Sequence, residues 1–225
     1  MSTSIRVAII DDDDSARKAL ARLIKSAGIE AVTFASAAEF LDNPLLEQTD
    51  CVITDMRMPG LDGLELQEKL RQLLPGVSIV FLTGHGKVST TVNAMKAGAF
   101  DFLEKPVGED VLLTAIARAV ERSRKSKVDQ AGLEELEKRY SRLTPRERQV
   151  FALVNSGLLN KQVAADLGIT ERTTKVHRAR VMEKMKAGSL AELVRMAERL
   201  GLDKNAEPHL HRRDSSQGRP PSGTA

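Results

Sequence analysis

The chain has 225 residues with 41% hydrophobic and 29% charged side chains, which is enough for two domains with cores of their own and short for three. No apolar run approaches the roughly 20 residues of a membrane-spanning helix, and the stretch from Met1 to Ile10 lacks a signal-peptide core, so a cytoplasmic protein is expected. Cys51 is the single cysteine, which excludes an internal disulfide and a cysteine-based zinc site. The net charge of +3 hides an asymmetry: residues 1–122 carry 13 Lys and Arg against 18 Asp and Glu, residues 123–225 carry 21 against 13. A basic half of this kind is the footprint of a phosphate-rich partner.

Taken in chain order, the first half alternates short β-branched runs with amphipathic helical patterns. Strands are predicted at Arg6 to Ile10, Ala31 to Phe34, Cys51 to Thr54, Ser78 to Thr83 and Ala99 to Leu103. Between and after them the spacing predicts helices at Ser15 to Ala27, Ala37 to Leu41, Gly63 to Leu73, Thr90 to Ala97 and Glu109 to Arg122. Gly28 fits a helix stop, and Ser36 with Glu39 fits a capping box. Five repeats of strand then helix imply an α/β fold, a doubly wound, five-stranded parallel sheet with helices on both faces.

In such a sheet the residues just past the strands meet at one edge, where ligands bind. Asp11, Asp12 and Asp55 then share one pocket, an arrangement that needs a hard cation, and magnesium, which takes oxygen ligands, suits it. A carboxylate is a competent nucleophile toward phosphorus, and Asp55, alone at the end of its strand, is the best candidate. Lys105 supplies a second positive contact and the Thr83 hydroxyl a hydrogen bond to a phosphoryl oxygen. Lys105-Pro106 is a plausible cis peptide that aims the lysine. Asp13 and Asp14 read as the start of the next helix; Lys87 and Asn93 read as solvated.

The ordered segments IIDDDD, VITDMRMPGLDG, FLTGHG and AMKAGAFDFLEKP resemble the receiver domain of two-component response regulators over residues 5–122, the last two most like the FixJ branch. The resemblance implies a flavodoxin-like fold with Asp55 as phosphoacceptor. It implies Mg2+ held directly by Asp12, the Asp55 side chain and the Arg57 backbone carbonyl, with Asp11 acting through water. It further implies phosphoryl contacts from Thr83 and Lys105, and Phe102 as a switch aromatic.

The second half is organised differently. Leu133, Leu136, Tyr140 and Leu143 recur at helical spacing and predict a helical linker over 123–140. Thr144, Pro145 and Glu147 form an N-cap, a first-turn proline and a capping glutamate for a helix to about Asn155. A helix from Asn160 to Leu167, a turn at Gly168-Ile169, a helix capped by Thr170 and running to about Met185, and a last helix from Leu190 to Leu200 follow. Two short helices joined by a glycine-containing turn are a helix-turn-helix, whose second helix enters the major groove.

Projected at 3.6 residues per turn, that second helix places Thr174, Arg178, Val181 and Met185 on a packing face, from which Arg178 must snorkel outward. Arg172, Lys175, Val176, Ala179 and Arg180 fall on or beside the opposite face. Lys175 suits base acceptors, Val176 and Ala179 suit thymine methyls, and Lys161, Arg172, Arg178, Arg180 and Lys184 suit phosphates. Thr170 joins the DNA-facing set at the helix start, while His177 reads as a packed histidine.

The run LTPRERQVFALVNSGLLNKQVAADLGITERTTKVHRARVMEKM resembles the LuxR-type four-helix DNA-binding domain, again closest to the FixJ branch, so a small all-α domain over 141–202 is expected. That family usually has valine at the position of Thr174; a hydroxyl returned to a carbonyl of its own helix keeps the fold intact. From Asp203 onward, His209 and His211 included, the composition predicts a disordered tail.

The expected function is a DNA-binding transcriptional response regulator, not an enzyme. A sensor histidine kinase donates the phosphoryl group to Asp55; the receiver, 1–122, then pairs with a second copy and the paired domains bind double-stranded promoter DNA. RNA polymerase is a further expected partner, and no membrane is. Two alternatives stand beside it: a regulator whose receiver serves only protein contacts, and an aspartyl-phosphate hydrolase. The second is disfavoured because such enzymes commonly carry an acid two residues after the nucleophile, where this chain has Arg57. An apolar acyl-lactone cavity is also disfavoured by the charged strand ends.

Overall fold

The computed structural model of the chain describes residues 4–84, 95 and 98–202, divided between Gly132 and Leu133 into two compact units. The first unit is built on strands β1 (Arg6–Ile10), β2 (Glu30–Phe34), β3 (Cys51–Asp55), β4 (Ser78–Thr83) and β5 (Asp101–Glu104). They form one all-parallel sheet in the order β2-β1-β3-β4-β5. The inversion of order between β1 and β3 is the crevice at which such sheets carry their chemistry.

Alternation along the strands feeds two cores. Ala8, Ile10, Val52, Ile79 and Phe81 pack on α2 (Ala37–Leu41) and α3 (Gly63–Leu73) through Phe40, Leu66 and Leu70. Val7, Ile9, Cys51, Ile53, Val80 and Leu82 pack on α1 (Asp14–Ser26) and α4 (Glu109–Ser141) through Ile24, Leu112, Ile116 and Ala119. Each such side chain contributes about 1.5–3 kcal/mol on burial, so the two faces rather than the edges hold the sheet together. Cys51 lies wholly buried in the second core, where burial, with Asp50 beside it, pushes its thiol up to about 12.

Local chemistry sets the helix ends. The Asp13 carboxylate accepts from the backbone N–H groups of Ser15 and Ala16, capping α1, and Asp14 pairs with Arg17 and Lys18 within it. The two acids therefore start a helix, as expected. At α2, Ser36 Oγ accepts from Glu39 N, but the Glu39 carboxylate reaches one residue further back than a capping box requires, to the N–H of Ala35. The strand expected from Ala99 begins only at Asp101; the Phe100 N–H is spent on the carbonyl of Ile79 before the ladder starts.

The last helix of the first unit does not stop at Arg122. It runs without a break to Ser141, and its middle is tied to the sheet's amino end. The N–H of Ser78 donates to Ser123 Oγ at 2.8 Å, Lys127 Nζ donates to the Thr49 carbonyl at 2.9 Å, and Arg124 lies 3.5 Å from Asp50.

The second unit surrounds one core of Leu136, Leu143, Val150, Phe151, Val154, Val163, Val181, Met185 and Leu193. Its helices are α5 (Pro145–Asn155), α6 (Asn160–Leu167), α7 (Glu171–Met185) and α8 (Leu190–Arg199). Thr144 closes a full capping box with Glu147, and α6 ends at Gly168 in the left-handed region (φ 62°), which lets α7 start three residues later, capped by Thr170. Of the predicted helix at Thr90 to Ala97 all but Met95 lies outside the described residues, as do Lys87, Asn93 and the tail with His209 and His211.

Candidate functional site

The carboxyl ends of β1, β3, β4 and β5 deliver Asp11, Asp55, Thr83 and Lys105 to one edge of the sheet. Lys105 is joined to Pro106 by a cis peptide bond, and its Nζ lies 2.7 Å from Asp11 Oδ2 and 2.6 Å from Asp55 Oδ2. Burial alone would lower the Lys105 ammonium, but the bonds from Asp11 and Asp55 outweigh it and hold its pKa above the usual lysine value. The second oxygen of each acid is also engaged: Asp11 Oδ1 accepts from Asp13 N at 2.9 Å, and Asp55 Oδ1 from Arg57 N at 3.1 Å. Both bonds fold the chain back on itself just past the strand, which fixes the carboxylates where the loops begin.

Asp11, Asp12 and Asp55 each place an oxygen within 4.8 Å of the others. At that spacing each pair of charges repels by about 3 kcal/mol or more at an effective dielectric of about 20, and the single charge of Lys105 offsets only part of the sum. An all-oxygen donor set with excess negative charge, one member exposed and one half-buried, fits a hard divalent cation such as Mg2+.

Thr83 is buried at the end of β4, paired with Glu104, and its carbonyl accepts from Lys105 N at 2.8 Å. Phe102 is half-buried against the α2/α3 core. One residue of this edge was not singled out in the sequence: Arg17, whose Nη1 donates to the Asp11 carbonyl at 2.6 Å and whose Nη2 donates to Asp14. The Asp14–Arg17 spacing on a helix's first turn was the available signal.

In the second unit, α7 presents Arg172, Lys175, Val176, Ala179 and Arg180 to solvent, while Thr174, Val181 and Met185 are buried. Val176 is 46% exposed, an apolar side chain left uncovered between basic neighbours. Thr174 is fully buried and its hydroxyl donates to the Thr170 carbonyl at 3.2 Å, as the sequence led one to expect. Lys161 is exposed on the first turn of α6.

Two members of the expected DNA-contact set are held elsewhere. Lys184 Nζ donates to Glu147 Oε2 at 2.6 Å and to the Arg142 carbonyl at 3.2 Å; Glu147 is 2% exposed, so the partly exposed Lys184 neutralises a buried acid. Despite a burial penalty that acts upward, Lys184 and the Thr144 N–H hold the Glu147 carboxyl at about 2. Arg178 does not simply snorkel outward: its Nη1 donates to Asn160 Oδ1 at 3.1 Å and ties α7 to the start of α6. His177 is half-buried, with a buried Nδ1 that makes no hydrogen bond among the described residues.

Residues 7–117 match the family model of the response regulator receiver domain, and residues 141–197 match that of the bacterial regulatory proteins of the luxR family. The chain is 46% identical to nodulation protein W of Bradyrhizobium diazoefficiens over 91% of this chain and 90% of the relative. It is 45% identical to the transcriptional regulatory protein FixJ of Azorhizobium caulinodans over 88% and 93%. The chain belongs to the FixJ/LuxR branch of response regulators. Among solved structures, the response regulator StyR matches this one with a TM-score of 0.76 at 45% identity, covering 88% of this chain and all of StyR. This response regulator therefore joins a receiver of the five-stranded parallel type to a LuxR-type DNA-binding domain, and its relatives are transcriptional regulators. No helix among the described residues is long and apolar enough to cross a membrane.

Proposed function

We propose that this regulator is a cytoplasmic phosphoswitch in which Asp55 accepts a phosphoryl group from a sensor histidine kinase. The observation that carries the reading is the Lys105 ammonium held at 2.7 and 2.6 Å between Asp11 and Asp55, beside the exposed Asp12. An Asp55 carboxylate oxygen forms the new P–O bond as the P–N bond of the donor's phosphohistidine breaks; the electron pair stays on the imidazole nitrogen, which takes up a proton from solvent. Lys105 then meets a phosphoryl oxygen with its ammonium, and the Thr83 hydroxyl donates to another. Asp12, Asp55 and the Arg57 carbonyl, with Asp11 through water, would hold Mg2+, which when bound neutralises charge on the transferring group.

The phosphoryl group adds close to two negative charges and three strong acceptors at Asp55, drawing Thr83 inward and letting Phe102 follow. The receiver surface beyond β5 then pairs with a second copy, and the two DNA-binding domains engage two half-sites of promoter DNA, where the regulator meets RNA polymerase. Lys175, Val176 and Ala179 read bases, while Lys161, Arg172 and Arg180 contact phosphates near Thr170. The protein is an input-controlled binder and turns over no substrate of its own.

The test replaces Asp55 with Asn and supplies acetyl phosphate and Mg2+. Wild type is expected to gain an acid-stable, hydroxylamine-labile phosphoryl group, to dimerise and to bind selected DNA more tightly, and the variant to do none of these. DNA binding that still rises with the donor in Asp55→Asn overturns the reading.

A further inference from the structure

We propose that Phe81 is a positioning residue that sets the resting position of the switch aromatic Phe102, and that Gly63 sets the position of Phe81. The inference rests on the switch reading of Thr83 and Phe102 given above.

Phe81 lies two residues before Thr83 on β4, so both side chains leave the same face of the sheet. Across the ladder its register partner is Phe102, and the two ring centroids stand 6.3 Å apart with planes tilted by 39°. On its other side the ring is closed off by the first turn of α3. A Cβ on Gly63 would stand 2.8 Å from Phe81 Cε1 and 2.7 Å from the Asp55 carbonyl oxygen, closer than real side chains come. Gly63 is thus the place where the helix after the phosphoacceptor strand touches both Asp55 and Phe81, and Gly63 N is bonded to the Met56 carbonyl at 3.1 Å.

Phe81 is fully buried, whereas Phe102 is only partly so. The fixed ring fills the space into which the half-buried ring would sink. A packed interior transmits such a contact because it has no slack to absorb it. Phe102 can therefore move inward only when the end of β4 shifts, which is what the attraction of Thr83 toward a phosphoryl group supplies. Removing the Phe81 ring opens that space and lets Phe102 enter it unprompted.

The experiment uses the full-length protein labelled with fluorophenylalanine, the Phe102 resonance being assigned by its loss in Phe102→Leu. In wild type, acetyl phosphate with Mg2+ is expected to move that resonance. In unphosphorylated Phe81→Leu the fraction at the phosphorylated position should rise about tenfold, the scale of one aromatic contact. Phe40→Leu makes a comparable cavity in the same core and should leave the fraction unchanged, which separates switching from lost stability. Phe81→Met also removes the ring, at nearly the volume of leucine but with an unbranched, more adaptable chain, and serves where leucine prevents folding; a rise of the same order is expected. A wild-type resonance that does not move overturns the switch reading and this proposal with it. Movement in wild type with an unchanged resting fraction in the Phe81 variants, or an equal rise in Phe40→Leu, overturns the proposal alone.

Discussion

Lys184, in the last turn of the recognition helix, reaches 2.6 Å from the carboxylate of Glu147, which sits in the first turn of α5 and is almost wholly out of contact with water. Glu147 caps its own helix through the Thr144 N–H and anchors a second helix through Lys184, so one acid ties α7 to the start of α5. Lys184→Ala strands that carboxylate. A loss of about 3–5 kcal/mol is expected in urea unfolding of the second unit, and the salt dependence of DNA binding by the folded protein should not change.

The same pair gives a pH dependence whose sign is set by the depressed acid. Glu147 ionises at about 2 in the folded protein against an ordinary value of 4.5, so its stabilisation is complete above pH 4.5 and is lost as pH falls toward 2. Thermal unfolding of the second unit should show Tm dropping through that window. Glu147→Gln should flatten the dependence while lowering Tm at neutral pH.

The exposed face of α7 divides by chemistry. Lys175→Ala is expected to cost about 1–3 kcal/mol at one base position and to relax selection there, measured by binding to a set of single-base variants. Arg172→Ala or Arg180→Ala should weaken binding evenly across sequences and reduce the slope of log K against log salt by about 0.9 each.

Thr174→Val removes a buried hydroxyl whose single hydrogen bond goes to the carbonyl of Thr170 at 3.2 Å. That carbonyl also accepts from the Thr174 N–H and stays satisfied after the change. Stability is expected to be unchanged or to rise by up to about 1 kcal/mol, read as the shift in urea midpoint at constant m-value.

The strands and the acid pocket were legible because their signals are local and periodic. Asp11, Asp12, Asp55, Thr83 and Lys105 each end or follow an apolar run, and a parallel sheet gathers such ends without further information. Capping residues such as Ser36, Thr144 and Thr170 marked helix starts for the same reason. The tie of Lys184 to Glu147 was not legible because its partner lies 37 positions upstream and a helical wheel reports direction, not occupancy. The bond from Arg178 to Asn160 on the preceding helix was hidden for the same reason. The start of β5 missed by two residues because Ala99 and Phe100 are apolar enough to extend the pattern, while the Phe100 N–H is turned to Ile79.

The helix Glu109–Ser141 governs how this chain can be divided. Cutting after Arg122 discards Ser123, Arg124 and Lys127, which close the amino end of the sheet. Starting at Ser141 discards Leu136, 5% exposed in the second core, and Tyr140, whose ring meets Phe151 edge-on at 5.4 Å. A chimera that borrows either half keeps both cores whole only if it is spliced between residues 128 and 133. Fragments ending at 122 or beginning at 141 should unfold several degrees lower than those cut inside that window. The recombinable part of this regulator is thus defined by less than two turns of one helix, narrower than either of the folds it joins.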